Sequence, residues 1–168
     1  MHKQYVLTLI GDDKPGLVDS LARQVKEHGG NWLESRMANL AGKFSGIVLV
    51  TVDSEQCEEF ESAIAMLKSS GLSVRATSVD SPTPTGRHTS QLSLVANDRP
   101  GILSELTSTL AGLKVNVEEL ITDCAPASMS SELLFRAKVT VSIPDSLDDN
   151  VLVTALENLS NDLMVEVD

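Results

Sequence analysis

The sequence predicts an α+β fold of two layers, a four-stranded antiparallel sheet with two helices on one face, built twice along one chain of 168 residues. Three observations predict it. A block centred on a Pro-Gly step recurs at a fixed offset, strand-like and helix-like periods alternate in the same order in both copies, and a Pro- and Gly-rich segment separates them.

The repeat begins at Tyr5-Val6-Leu7-Thr8-Leu9-Ile10. The next residues, Gly11-Asp12-Asp13-Lys14-Pro15-Gly16-Leu17, return as Ala96-Asn97-Asp98-Arg99-Pro100-Gly101-Ile102. The offset from Pro15 to Pro100 is 85 residues, and it also maps Leu21 to Leu106, Asn31 to Asn116 and Glu34 to Glu119. A chance Pro-Gly match would not keep register that far. Between the copies, Asp80-Ser81-Pro82-Thr83-Pro84-Thr85-Gly86-Arg87-His88 is rich in residues that remove backbone donors or loosen the chain. The reading is a first domain over 1–80, a linker over 81–88 and a second domain over 89–168.

Within each copy the elements follow in order. Residues 5–10 are apolar almost throughout, as in a central strand, and Leu92, Leu94 and Ala96 alternate with Gln91, Ser93 and Val95. The Pro-Gly step then opens a helix, with Asp13 or Asp98 placed to cap it and the proline near its first position. Leu17, Val18, Leu21, Ala22 and Val25 share one face, as do Ile102, Leu103, Leu106 and Leu110, and Gly29-Gly30 ends the first helix. Two strands are expected at about 31–40 and 44–52, joined by Ala41-Gly42, with counterparts at about 116–125 and 132–143 and a register slip of about two residues between copies. A second helix carries Cys57, Phe60, Ile64 and Leu67, or Val151, Leu152, Ala155 and Leu159. Short strands, Val74–Val79 and Leu163–Val167, close the copies. The order is βαββαβ twice, and right-handed crossovers place both helices on one face, the ferredoxin-like arrangement. Such a sheet leaves its other face and its edges open, and two copies packing together would enclose a crevice.

Composition narrows the function. The net charge of −11 opposes a phosphate backbone, and 3% aromatic residues supply few stacking platforms, so direct DNA or RNA binding is not expected. Acidity favours solubility and is equally open to an acidic partner-binding surface. No apolar run reaches the roughly 18 residues of a membrane span, and Met1-His2-Lys3-Gln4-Tyr5 leads into a strand without a cleavage site, so a cytoplasmic protein is expected. Cys57 and Cys124 stand apart, without a Cys-x-x-Cys or a nearby His, against a disulfide framework and a zinc site.

Catalytic chemistry finds no footing in the sequence. Gly11 to Gly16 has the spacing of a phosphate loop, yet Leu17-Val18 stand where Lys-Ser/Thr belongs. His2, His28 and His88 fall at the terminus, a helix end and the linker, and read as solvated residues. Glu58-Glu59 and Asp148-Asp149 read as solvated or first-turn charges. No nucleophile is paired with a base, so no enzyme activity, cofactor or metal is expected.

What repeats is the loop: Asp-Lys/Arg-Pro-Gly opening a helix, followed fifteen residues after the glycine by Asn31 or Asn116. In both copies this resembles the ACT domain, and two such domains without an attached enzyme or DNA-binding domain resemble the glycine cleavage system transcriptional repressor family. The resemblance implies a regulator that couples binding of a small amino acid, with glycine the named candidate, to dimer geometry. It would repress through a transcription activator instead of DNA; an allosteric module docked on a metabolic enzyme is the alternative. The ligand-binding candidates it implies are Asp13, Pro15, Gly16 and Asn31 with Asp98, Pro100, Gly101 and Asn116. A helix N-terminus suits a ligand carboxylate, and glycine lets the backbone approach. Asp13 and Asp98 stand where amino-acid-binding relatives often have Asn, and either grip the ammonium or cap the helix. Asn31 is either a ligand group or a turn residue after Gly29-Gly30. Asn116, between Val115 and Val117, has less reason to be a turn residue.

Overall fold

The computed structural model describes residues 1–79, 85–128 and 132–167. The chain divides into two compact units, Met1–Pro82 and Thr83–Asp168. The proline-rich centre of the connecting segment, 80–84, lies outside the described residues.

In the first unit β1 (His2–Asp12) leads to α1 (Leu17–Glu27), β2 (Asn31–Leu40), β3 (Lys43–Asp53), α2 (Cys57–Met66) and β4 (Leu72–Ser78). The second repeats this with β5 (Arg87–Asn97), α3 (Ile102–Gly112), β6 (Asn116–Pro126), β7 (Leu133–Pro144), α4 (Asp149–Glu157) and β8 (Met164–Val167). The sheet orders are β2-β3-β1-β4 and β6-β7-β5-β8, every pairing antiparallel. Each unit is thus the two-layer, ferredoxin-like fold that the periodicities predict.

Alternation sets the cores. Tyr5, Leu7 and Leu9 of β1 and Val48, Val50 and Val52 of β3 are buried against Leu17, Leu21 and Val25 of α1 and Phe60 and Ile64 of α2. Leu92, Leu94 and Ala96 of β5 meet Ile102, Leu106 and Leu110 of α3 and Leu152 and Leu156 of α4. Each large side chain so buried contributes about 1.5–3 kcal/mol.

Several local expectations need correction. Strand β5 begins at Arg87, so Arg87 and His88 are strand residues and not part of a linker. Polar partners hold both there, as described below. The hairpin difference between copies is six residues, not two: Asn31 pairs with Thr51, twenty residues on, and Asn116 with Ser142, twenty-six residues on. Four of the six lie in the loop, six residues long in the second unit against Ala41-Gly42 alone in the first, where both are at positive φ (51° and 79°) as a two-residue hairpin needs; the other two lengthen the paired strands by one residue each. Both units keep a bulge at one equivalent place, between Trp32 and Glu34 and between Val117 and Glu119. Val18 and Val151, assigned to buried faces, are 42% and 51% exposed, whereas Leu156 is fully buried.

Candidate functional site

The Pro-Gly loops follow β1 and β5. Gly16 and Gly101, at φ 92° and 89°, are the N-caps of α1 and α3, and neither helix has a side-chain cap. The capping role considered for Asp13 and Asp98 is therefore not what they do, and Pro15 and Pro100 stand outside the helices. Positive φ explains the glycines directly, since other L-residues avoid that region. Asp13 instead accepts a hydrogen bond from the Asn39 side chain at 2.5 Å, and its backbone N–H donates to the Gly42 carbonyl at 3.0 Å. Asp98 N–H donates to the Leu133 carbonyl at 2.8 Å, and Asp162 accepts from the Asn97 N–H at 2.8 Å. Bonds from the Ser160 hydroxyl and that N–H hold the Asp162 carboxyl below its usual range.

The two loops are not alike. At the first, a hollow of about 160 Å³ is bordered by Asp13, Lys14, Gly16, Leu17, Val18, Asp19 and Phe44. The opening N–H groups of the helix lack intrahelical partners and the dipole is positive there. Lys43 and Asp12 pair alongside, and that bond lowers the Asp12 carboxyl. At the second, Arg99 forks onto Glu105 in the first turn of α3, at 2.8 and 2.6 Å. The pairing raises the guanidinium and lowers the carboxyl. Each helix thus carries one carboxylate in its first turn, Asp19 in α1 and Glu105 in α3, but only Glu105 is held by the arginine of its own Pro-Gly loop, whereas Asp19 pairs with Arg23 one turn on.

Asn31 and Asn116 do not join these loops. Each is exposed and opens its strand opposite Thr51 or Ser142. The loops meet the other ends of β3 and β7, at Gly42 and Leu133. Nine residues of strand separate the two places in both units, about 30 Å at about 3.3 Å per residue. Within one unit, no small ligand reaches both. The structure brings together Asp13, Pro15 and Gly16, and likewise Asp98, Pro100 and Gly101; it sets the asparagines apart.

Asn116 lies in a larger hollow of about 560 Å³, with Arg87, Thr89, Lys114, Val115, Glu118 and Ser142. Thr89 and Ser142 alternate with core residues and so belong to the helix-free side of the sheet. Arg87 Nε donates to Ser142 Oγ at 2.8 Å, and its Nη2 donates to the Ser142 and Lys114 carbonyls at 2.5 and 2.7 Å. Lys114 sits at φ 59°, where the first unit has Gly29 at φ 64°. Sequence reading missed Arg87, Lys114 and Glu118. A signal was present: the 85-residue offset sets Lys114 against Gly29 and Glu118 against Leu33.

The histidines and cysteines separate by environment. His28 is half-buried, its Nδ1 2.8 Å from the Gln24 carbonyl and its ring edge-on to Phe60. His88 lies 3.1 Å from Asp149 and 3.4 Å from Asp145, so neither is merely a solvated residue. Desolvation, then the neighbouring Asp98, push the Cys124 thiol up, so it is not an activated nucleophile. Among the described residues no group of three His, Cys, Asp or Glu is placed to hold a metal ion, and no helix is long and apolar enough to cross a membrane.

Comparison with known proteins bears on the fold and the family resemblance. The ACT domain family matches residues 3–77. The first unit is therefore ACT-like over that stretch. The second repeats its strand order and its Pro-Gly loop, so the chain carries two ACT-like domains in tandem. It is similar along 94% of its length to the glycine cleavage system transcriptional repressors of Escherichia coli and Shigella flexneri, at 26% identity and over 84% of those proteins. A solved protein from Galdieria sulphuraria, described only as unknown, superposes with a TM-score of 0.87 at 26% identity, covering 100% of this chain and 98% of that one. A solved structure described as a candidate glycine cleavage system transcriptional repressor shares the fold, with a TM-score of 0.73 at 17% identity over 100% of this chain and 97% of its own.

Proposed function

We propose that this chain is an amino-acid-sensing regulator that represses glycine cleavage system transcription through a protein partner, without touching DNA. The observation that carries the reading is the likeness to that repressor along 94% of the chain, in a sequence that repeats its Pro-Gly loop in both halves. The ligand is a small amino acid, glycine first among the candidates. Asp13, Pro15, Gly16 and Asn31, with Asp98, Pro100, Gly101 and Asn116, are the residues proposed to meet it, at a loop or at a strand start. Helix N-termini favour its carboxylate, and Asp or Asn favours its ammonium.

Charge supports the division of labour. Residues 1–82 carry eight Lys and Arg against eleven Asp and Glu, and residues 83–168 five against thirteen, so the units stand at −3 and −8. Neither attracts a phosphate backbone, and a partner that holds the DNA is required. A cytoplasmic, non-enzymatic protein belongs to the same reading.

A thermal-shift screen over the twenty amino acids, with pull-down from the native host and a mobility-shift assay, tests it. A ligand at a hundred times its Kd stabilises by about 2.7 kcal/mol. The reading expects a shift with a small amino acid, capture of a DNA-binding activator, and no specific shift of duplex DNA by the protein alone. Capture of a metabolic enzyme in place of the activator, or sequence-specific binding by the isolated chain, would sink the repressor mechanism.

A further inference from the structure

The hollow of about 560 Å³ beside the α3–β6 turn has no counterpart in the chemistry of the first unit. At the equivalent places of its three charged residues, Arg87, Lys114 and Glu118, the first unit has His2, Gly29 and Leu33. We propose that this hollow binds a free α-amino acid as a zwitterion, its carboxylate at Arg87 and Lys114 and its ammonium at Glu118. The inference rests on the amino-acid-sensing reading and names the place and the groups.

The fixed arginine, the backbone at Lys114 and the charges on the rim support it. Arg87 is fixed before any ligand arrives, because its Nε and Nη2 are bonded to Ser142 and to the Lys114 carbonyl. Nη1 takes part in none of those bonds, and a guanidinium has donors to spare for a carboxylate. Lys114 holds a left-handed backbone at φ 59°, a conformation with a steric cost for any residue but glycine; the strain persists in an element whose carbonyl Arg87 grips, and such strain concentrates at binding places.

The second unit has only five Lys and Arg. Arg99 is paired with Glu105 and Arg136 with Asp123, while two of the remaining three border this one hollow. Glu118 on the same rim disfavours a bare anion and favours a ligand that carries a cation too. Asn116 can serve either end, with donors and an acceptor. The volume leaves room for a side chain beyond the α-carbon.

The test titrates the full chain with each of the twenty amino acids and with acetate, followed by backbone amide NMR. At least one amino acid is expected to shift the amides of 114–118 and Ser142, and acetate at the same concentration is not. Lys114→Gly, which suits the backbone at that position, and Glu118→Gln should each weaken binding by about tenfold, the loss of one charge-assisted hydrogen bond. Lys138→Ala, which removes a cation of the same unit outside the hollow, should change it by less than about twofold. If an amino acid binds but both rim variants bind it as wild type does, or the shifts fall only at 13–17 and 98–102, the hollow is not the place and amino-acid sensing survives. If none of the twenty binds, both fall together.

Discussion

Asn39 donates its side-chain amide to Asp13 at 2.5 Å, and the residue 85 positions on, Cys124, stands beside Asp98 in the second unit. The aspartate of each Pro-Gly loop is thus tied sideways to an edge strand instead of forward to the helix. Asp13→Ala should therefore leave α1 intact and cost less than about 1 kcal/mol, as an exposed bond does. Asp148 is the contrast, since it caps α4 by accepting from the Asn150 N–H at 2.8 Å, and Asp148→Ala should cost about 1 kcal/mol. Urea unfolding followed by circular dichroism compares the two; an Asp13 effect larger than that of Asp148 would restore the capping role.

His88 joins β5 to the start of α4. Hydrogen bonding to Asp149, reinforced by Asp145, raises its imidazole above the usual value of 6.5 despite some desolvation. A histidine raised on folding contributes stability fully below its unfolded pKa, and loses it as pH rises through the folded value. His88 should titrate above about 6.5 by NMR, and Asp149→Asn should bring the midpoint down. The stability difference between wild type and His88→Asn should fade on going from mildly acidic to alkaline pH. A midpoint at or below the free-histidine value would show that the pair does not form in solution.

Tyr5 is the chain's single tyrosine and is 2% exposed, its hydroxyl donating to Glu61 at 2.8 Å. Burial first, then Cys57 and Glu61, hold its phenol far above the normal range. At pH 10 a free tyrosine is about half ionised, and the folded protein should show almost no phenolate absorbance there. Because the unfolded chain ionises first, stability should fall as pH rises above about 10. Gradual phenolate formation without unfolding would contradict the burial.

The helix α4 shows where sequence reading stops. The sequence sets Val151, Leu152, Ala155 and Leu159 on one stripe, but α4 spans Asp149–Glu157, leaves Leu159 beyond its end and turns Val151 outward to 51% exposure, with Leu156 fully buried. A stripe fixes the period; the phase depends on how the helix lands on the sheet. Leu156→Ala should cost about 2–5 kcal/mol, and Val151→Ala within about 0.5 kcal/mol. Thermal melts of both variants check the assignment.

The candidate site was legible in kind more than in place. The loops could be read because Pro-Gly spacing recurs at 85 residues and positive φ demands glycine there. That Asn31 lies far from Gly16 was contained in the topology: β1 and β2 run the same way on either side of β3, so the end of one and the start of the other lie at opposite ends of the sheet. The Arg87 contacts were not legible, because they join residues 27 and 55 positions apart through a carbonyl and a hydroxyl, which no local pattern records.

The corner between the first helix and the second strand distinguishes the two units most sharply. The first unit has Gly29-Gly30 and the second Lys114-Val115. A Cβ on Gly30 would stand 2.4 Å from the Thr51 carbonyl oxygen and 2.8 Å from that of Val25. Both contacts are backbone, so relief requires the strand or helix to move. Gly30→Ala should destabilise the first unit by about 1–3 kcal/mol, read by fluorescence of Trp32, the single tryptophan. Lys114→Gly should act the other way. A non-glycine residue in the left-handed region costs about 1–2 kcal/mol, and glycine gives back about 0.5–1 kcal/mol in chain entropy. The second unit should therefore gain about 0–1.5 kcal/mol. Higher stability with weaker amino-acid binding in that one variant is the pattern of a residue kept for function at the expense of the fold. Lower stability would mean that the lysine side chain itself supports the corner.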